Sequence, residues 1–203
     1  ARKPDIIYAS LNTYGYEGPW SERAGWEQLA QATSGIQVRH GGSGSPTTLL
    51  YTVNDYGTGI MGAYAVALAL HERNNTGRGQ SVDSALSFTA GLVQSPYFLS
   101  YQGMVRKEPE GREAWGFSAL SRLYPASDGW LYLHCQEEAG WQGLTGLEEY
   151  AHLAGDERFA TADGRRARDG DLAEELGRIF PLKTRGEWIE LLQSVGVTAV
   201  ENV

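Results

Sequence analysis

The chain has 203 residues, enough for one ordinary domain or two small ones and for a sizeable core. With 17 Lys+Arg against 25 Asp+Glu its formal net charge is −8, which argues against a nucleic-acid footprint or a polybasic membrane patch. A single cysteine, Cys135, excludes an intrachain disulfide framework and a multi-cysteine zinc site, and no apolar run approaches the ~20 residues of a membrane span. The expectation is a soluble, acidic, cytoplasmic protein, unusually rich in glycine at 26 residues.

Ile6–Ser10 (IIYAS) is a β-branched and aromatic run that reads as a core strand. A strand so near the first residue suggests part of a longer protein. Asn12–Pro19 is loop, and Gly25–Ser34 has helical spacing with Trp26, Leu29, Ala30 and Thr33 on one side and Gly35 as C-cap. His40–Pro46 (HGGSGSP) is too glycine-rich for regular structure.

Tyr56–Arg73 (YGTGIMGAYAVALALHER) predicts a helix of small residues. Its three glycines cost about 2–3 kcal/mol of helix propensity relative to alanine. Close packing must offset that loss, so a buried central helix is expected. Asn74–Gln80 is a turn, Ser81–Leu86 a strand or the start of a helix, and Ser84–Tyr101 helical. The stretch 102–123 mixes charge with Gly and Pro and reads as a linker. Beyond it, Leu123–Tyr124 and Trp130–Cys135 form a hairpin around Ala126–Gly129 (ASDG). Trp141–Leu153 and Asp171–Phe180 are helical by spacing, and Thr184–Val195 is an amphipathic helix with Thr184 as N-cap, Glu187 at the capping-box position and Gly196 as its stop.

Few constellations carry chemistry. His40, His71, His134 and His152 are scattered and form no HxxxH or HExxH pair, so no metal site is expected. Cys135 lies in an apolar strand and reads as an inert buried thiol. Gly41–Gly44 lacks the following Lys-Ser/Thr of a phosphate loop. The GxGxxG spacing at Gly57–Gly62 follows Asp55, whose charge would repel a pyrophosphate. Asp55 itself admits two readings. It is either an N-cap, or a carboxylate nucleophile or base stabilised by free N–H groups at a helix start.

The segment Asp55–Leu86 resembles the core signature of the family III coenzyme A transferases, the formyl-CoA, carnitine and bile-acid CoA transferase family. The matching parts are the Asp before a Gly-rich helix, Ala69-Leu70-His71-Glu72-Arg73, and Thr76-Gly77-Arg78-Gly79-Gln80. Upstream, Pro4–Ser10, Tyr14-Gly15, Gly18-Pro19, Arg23–Glu27 and Ala30–Gly35 agree in order and spacing, and Tyr124–Trp130 resembles the family's entry into its small domain.

The resemblance implies an α/β fold, with part of a large Rossmann-like domain over residues 1–101, a linker over 102–123 and a small α+β domain over 124–203. It implies an acyl-CoA:carboxylate CoA transferase with no bound cofactor and no metal, acting on a coenzyme A thioester and a free carboxylic acid, and an interlocked homodimer at full length. Asp55 takes the place of the family nucleophile and Glu27 that of an acidic residue beside the pocket. Arg23, Trp26 and Leu86 take the places of CoA or substrate contacts. Arg23 is displaced by one position from the family's lysine, and only Gly111 and Gly116 stand where the family has a glycine-rich loop. The related α-methylacyl-CoA racemases carry His where Trp26 stands, and Trp exchanges no proton at neutral pH. A racemase, or a non-catalytic portion of a larger assembly with Asp55 as a plain cap, are the alternatives. The family pattern also extends beyond both ends of this sequence, and residues 196–203 stop where its return to the large domain would begin.

Overall fold

The structure, a computed structural model, describes residues 3–104 and 111–203. The chain divides into two compact units, Ala1–Arg112 and Glu113–Val203. Their boundary lies within the stretch 102–123 expected to be a linker, of which residues 116–118 and 121–123 belong to strands of the second unit.

The first unit runs β1 (Tyr8–Asn12), α1 (Glu27–Ser34), α2 (Ile36–Gly41), α3 (Val53–Thr76), β2 (Ser81–Ala85), α4 (Leu86–Val93) and α5 (Ser95–Phe98). β1 and β2 pair in parallel from Tyr8 opposite Ser81 to Asn12 opposite Ala85, so the helices form the crossover that a parallel pair requires. The turn Thr76–Gln80 builds this pairing. Gly77 ends α3 in the left-handed region at φ 70°, the Gly79 N–H donates to Pro4 O at 2.9 Å, and the Tyr8 N–H donates to Gln80 O at 3.0 Å.

Four expectations for this unit are corrected. The first strand begins two residues later than read, and Ile6, Tyr8 and Leu11 are exposed: two paired strands alone leave its faces uncovered. α3 is longer than read but largely exposed, with only Asn54, Thr58, Gly62 and Ala69 buried. Its glycines serve close approach at two points. A Cβ at Gly57 would lie 2.5 Å from Thr89 Cγ2 on α4, and one at Gly62 would lie 3.0 Å from the Leu11 side chain on β1. His40 and Gly41 close α2 rather than opening a loop, and Pro96 divides the expected long helix at 84–101 into α4 and α5.

The second unit contains β3 (Gly116–Ser118), β4 (Ser121–Ala126), β5 (Gly129–His134), α6 (Glu138–Thr145), α7 (Ala151–Ala154), α8 (Ala162–Ala167), α9 (Asp169–Ile179), α10 (Arg185–Ser194) and β6 (Thr198–Asn202). The strands form one antiparallel sheet in the order β3-β4-β5-β6. β5 alternates as a half-buried strand should, with Leu131 and Leu133 inward and Trp130 and His134 outward. Helices cover the inner face. Trp188 of α10 is fully buried and donates from Nε1 to Phe180 O at 2.7 Å, while Phe180 stacks on Tyr124 at 4.6 Å. The expected capping box is present: Thr184 Oγ1 accepts from the Glu187 N–H, and the Glu187 carboxylate accepts from the Thr184 N–H.

Residues 198–202, which the sequence reading did not single out as a strand, pair with β5 as β6. Gly196, at φ 78°, turns the chain after α10, and the Ala199 side chain is buried in the core. The expected helix at 141–153 is broken after Thr145, where Gly146 and a short 3-10 turn precede α7. α8 was not anticipated. Its N-cap Thr161 accepts from the Gly164 N–H, and its Arg165 is buried against Glu138 and the Trp141 ring.

Candidate functional site

Asp55 is the third residue of α3. The cap position is Thr52, which makes no side-chain cap hydrogen bond, so Asp55 is not the N-cap. The acceptor at this helix start comes from α1. Glu27, in the first turn of α1 and almost fully buried, accepts from the Asp55 N–H through Oε2 at 2.8 Å. The N–H expected to stabilise the aspartate is therefore taken by a second carboxylate. The Asp55 side chain remains exposed. Partial burial, and then the charge of Glu27, push its carboxyl above the usual carboxylate range.

Glu27 is held in turn. Its Oε1 accepts from Gln31 Nε2 and from Asn54 Nδ2, each at 2.9 Å. With two acceptors on the carboxylate and three donors around it, the charge of Glu27 is fully hydrogen-bonded although buried. Asn54 Oδ1 is buried with no donor among the described residues, a situation that costs about 1–3 kcal/mol. Behind the first turn of α3, Thr58 Oγ1 and Thr89 Oγ1 lie 2.6 Å apart, tying α3 to α4.

The structure thus brings Glu27 and Asp55 together. Trp26 is the N-cap of α1, next in sequence to Glu27. At 58% exposure it is not a core residue. Arg23 is exposed, with its guanidinium 4.9 Å from the Trp20 ring, which meets Tyr14 edge-on at 5.3 Å. Tyr14 and Trp20 line a cavity of about 370 Å³ together with Ser34, Ser87 and Phe98. Leu86 is buried at the start of α4. Gln31 and Asn54 were missed by sequence reasoning. The only signals were the one-turn spacing of Glu27 and Gln31 and the adjacency of Asn54 to Asp55.

Cys135 is buried, and burial pushes its thiol to about 11 despite the nearby Arg165 charge, as expected of an inert thiol. Among the described residues no group of three or more His, Cys, Asp or Glu is placed to hold a metal ion, and no helix is long and apolar enough to cross a membrane.

An α/β unit with a buried glutamate fixing the first turn of a glycine-rich helix is the arrangement to which comparison with known proteins gives a class. The family model for CoA-transferase family III matches residues 1–202, and the chain belongs to that family. It is 28% identical to the "Probable fatty acyl-CoA transferase" of Mycobacterium tuberculosis, over 98% of this chain and 53% of that protein. A crystal structure of that protein matches with a TM-score of 0.81 at 27% identity, covering 98% of this chain and 52% of the other. A CAIB/BAIF family protein from Brucella suis matches with a TM-score of 0.79 at 28% identity, covering 98% and 53% of the two chains. The beta subunit of the succinyl-CoA–L-malate CoA-transferase of Chloroflexus aurantiacus is 30% identical over 92% of this chain and 47% of its own length. The chain spans about half the length of the relatives it matches.

Proposed function

We propose that this chain supplies the nucleophile of a CoA transferase that moves CoA from an acyl-CoA thioester to a free carboxylic acid. The observation that carries the reading is the exposed Asp55 carboxylate, held on a rigid helix start by a buried acidic partner in a member of CoA-transferase family III.

The reaction divides into acyl exchanges between groups of similar energy. The Asp55 carboxylate attacks the thioester carbonyl, the C–S bond breaks, and CoA leaves as thiolate from a mixed anhydride. The thiolate attacks the aspartyl carbonyl, releasing the first acid and leaving an aspartyl-CoA thioester. An acceptor carboxylate attacks that thioester and forms a second anhydride. The returning thiolate takes the new acyl group and regenerates Asp55. Partial burial and the Glu27 charge raise the proton affinity of the Asp55 carboxylate, which makes it a better nucleophile when ionised. Glu27 sets its geometry and charge, and Arg23 and Trp26 contact the CoA ester or the acids. The active species is a homodimer of the full-length protein, located in the cytoplasm.

The test uses the complete protein. Incubation with an acyl-CoA, trapping with hydroxylamine and mass spectrometry should yield a modified Asp55 peptide. Turnover without modification of Asp55, or with Asp55→Asn at full rate, overturns the assignment. Exchange of an α-deuterium without CoA transfer would instead identify a racemase.

A further inference from the structure

Leu50 and Tyr51, just before α3, are 89% and 77% exposed, so apolar burial does not fix how the chain enters that helix. The entry is fixed from α1 by one amide. Gln31 is completely buried, and its Nε2 donates to Leu49 O at 3.0 Å while its Oε1 accepts from the Leu49 N–H at 3.0 Å. This two-way bond defines which end of the carboxamide carries the nitrogen. The same Nε2 donates to Glu27 Oε1. One side chain therefore sets both the backbone leading into α3 and the carboxylate that takes the Asp55 N–H.

Asn54 completes the arrangement from the other side. An ionised Glu27 can only accept, so the Asn54 amide must turn its nitrogen toward it, and its Oδ1 is left without a donor among the described residues. An apolar side chain would avoid that cost to folding. Keeping the asparagine makes sense if Glu27 Oε1 must be held by two N–H groups, leaving Oε2 free for the backbone of Asp55.

We infer that Gln31 and Asn54 are positioning residues for the reaction at Asp55, acting through Glu27 and Leu49 without touching substrate. The inference rests on Asp55 being the nucleophile.

In the complete protein, Gln31→Met keeps the volume and removes every hydrogen bond. Asn54→Ala removes the second donor together with the orphaned acceptor. Both should lower kcat on the order of 10- to 100-fold and leave KM for the acyl-CoA within about threefold, since only geometry at the nucleophile is lost. Amide exchange at Leu49 should accelerate in Gln31→Met, and Asn54→Ala should melt no lower than wild type. A merely structural role predicts lower melting with kcat retained, and folded variants with wild-type kcat and an Asp55 adduct overturn the inference. If Gln31→Met fails to fold, Asn54→Ala decides alone. If wild type turns over with no Asp55 adduct, the nucleophile assignment fails, and this inference with it.

Discussion

Glu27 Oε2 accepts a 2.8 Å hydrogen bond from the backbone N–H of Asp55, joining the first turns of α1 and α3 across 28 residues. Two carboxylates are thereby held side by side, and the buried one raises the proton affinity of the exposed one.

Glu27→Gln keeps an acceptor for the Asp55 N–H but removes the charge. The Asp55 carboxyl then moves down toward the usual range, with the contribution of burial left in place. The acid limb of the kcat/KM profile of the complete protein should move to lower pH. Stability follows the same sign. A carboxyl that binds its proton more tightly when folded contributes stability below its unfolded value, and that contribution is lost as pH rises through the raised folded value. The variant should lose less stability across that window. Urea titrations at a series of pH values check this, and an unmoved acid limb would contradict it.

Gly79 and Gly59 should respond oppositely to alanine. A Cβ at Gly79 would sit 1.8 Å from Ile6 O, backbone against backbone, where neither side can yield. Gly79→Ala should destabilise by at least about 1–3 kcal/mol through displacement of β1 from β2. At Gly59 a Cβ meets nothing within 4 Å, so alanine should stabilise by roughly 0.5–1 kcal/mol through helix propensity. Chemical denaturation of both variants measures the contrast.

The same glycines show what could be read before the fold was known. The order of elements around Asp55 and the Thr184 cap were legible because they depend on local pattern: a small-residue helix, a TGRGQ turn, a Thr-x-x-Glu start. Glu27 and Asp55 could be singled out through the family pattern, but not their hydrogen bond. Gln31 escaped because its partner is the backbone of Leu49, which no side-chain pattern reveals. β6 escaped because Thr198–Asn202 is short and pairs with a strand far back in the chain. Burial of α3 was over-read because small residues report that close approach is possible, not that every face has a neighbour. Only Gly57 and Gly62 of its glycines meet one.

The cap of α10 yields a third expectation. Thr184→Ala removes the acceptor for the Glu187 N–H and should cost about 1 kcal/mol in urea unfolding. Hydrogen bonds from Thr184 hold the Glu187 carboxyl below the usual range. Its contribution is therefore present above the unfolded carboxylate value and lost as pH falls through the depressed folded one. The gap between variant and wild type should narrow in acid. A gap independent of pH would contradict the role of Glu187.

Cys135 gives the fourth. A buried thiol with its ionisation pushed to about 11 should resist iodoacetamide at pH 8 and react promptly once urea unfolds the chain. Rapid stoichiometric alkylation of the native protein would show that β5 opens readily.

The parallel pairing of β1 with β2 has a kinetic consequence. Tyr8 meets Ser81 only after α1, α2 and α3 have been traversed, so most of the first unit's chain must be confined before this ladder closes. In the second unit β4 and β5 close across the turn from Ala126 to Gly129, a far smaller loss of chain entropy. Pulse-labelled hydrogen exchange during refolding should therefore protect the Leu131 and Leu133 amides before those of Tyr8 and Ser10. The segment that presents Asp55 would then be among the last to acquire its working geometry.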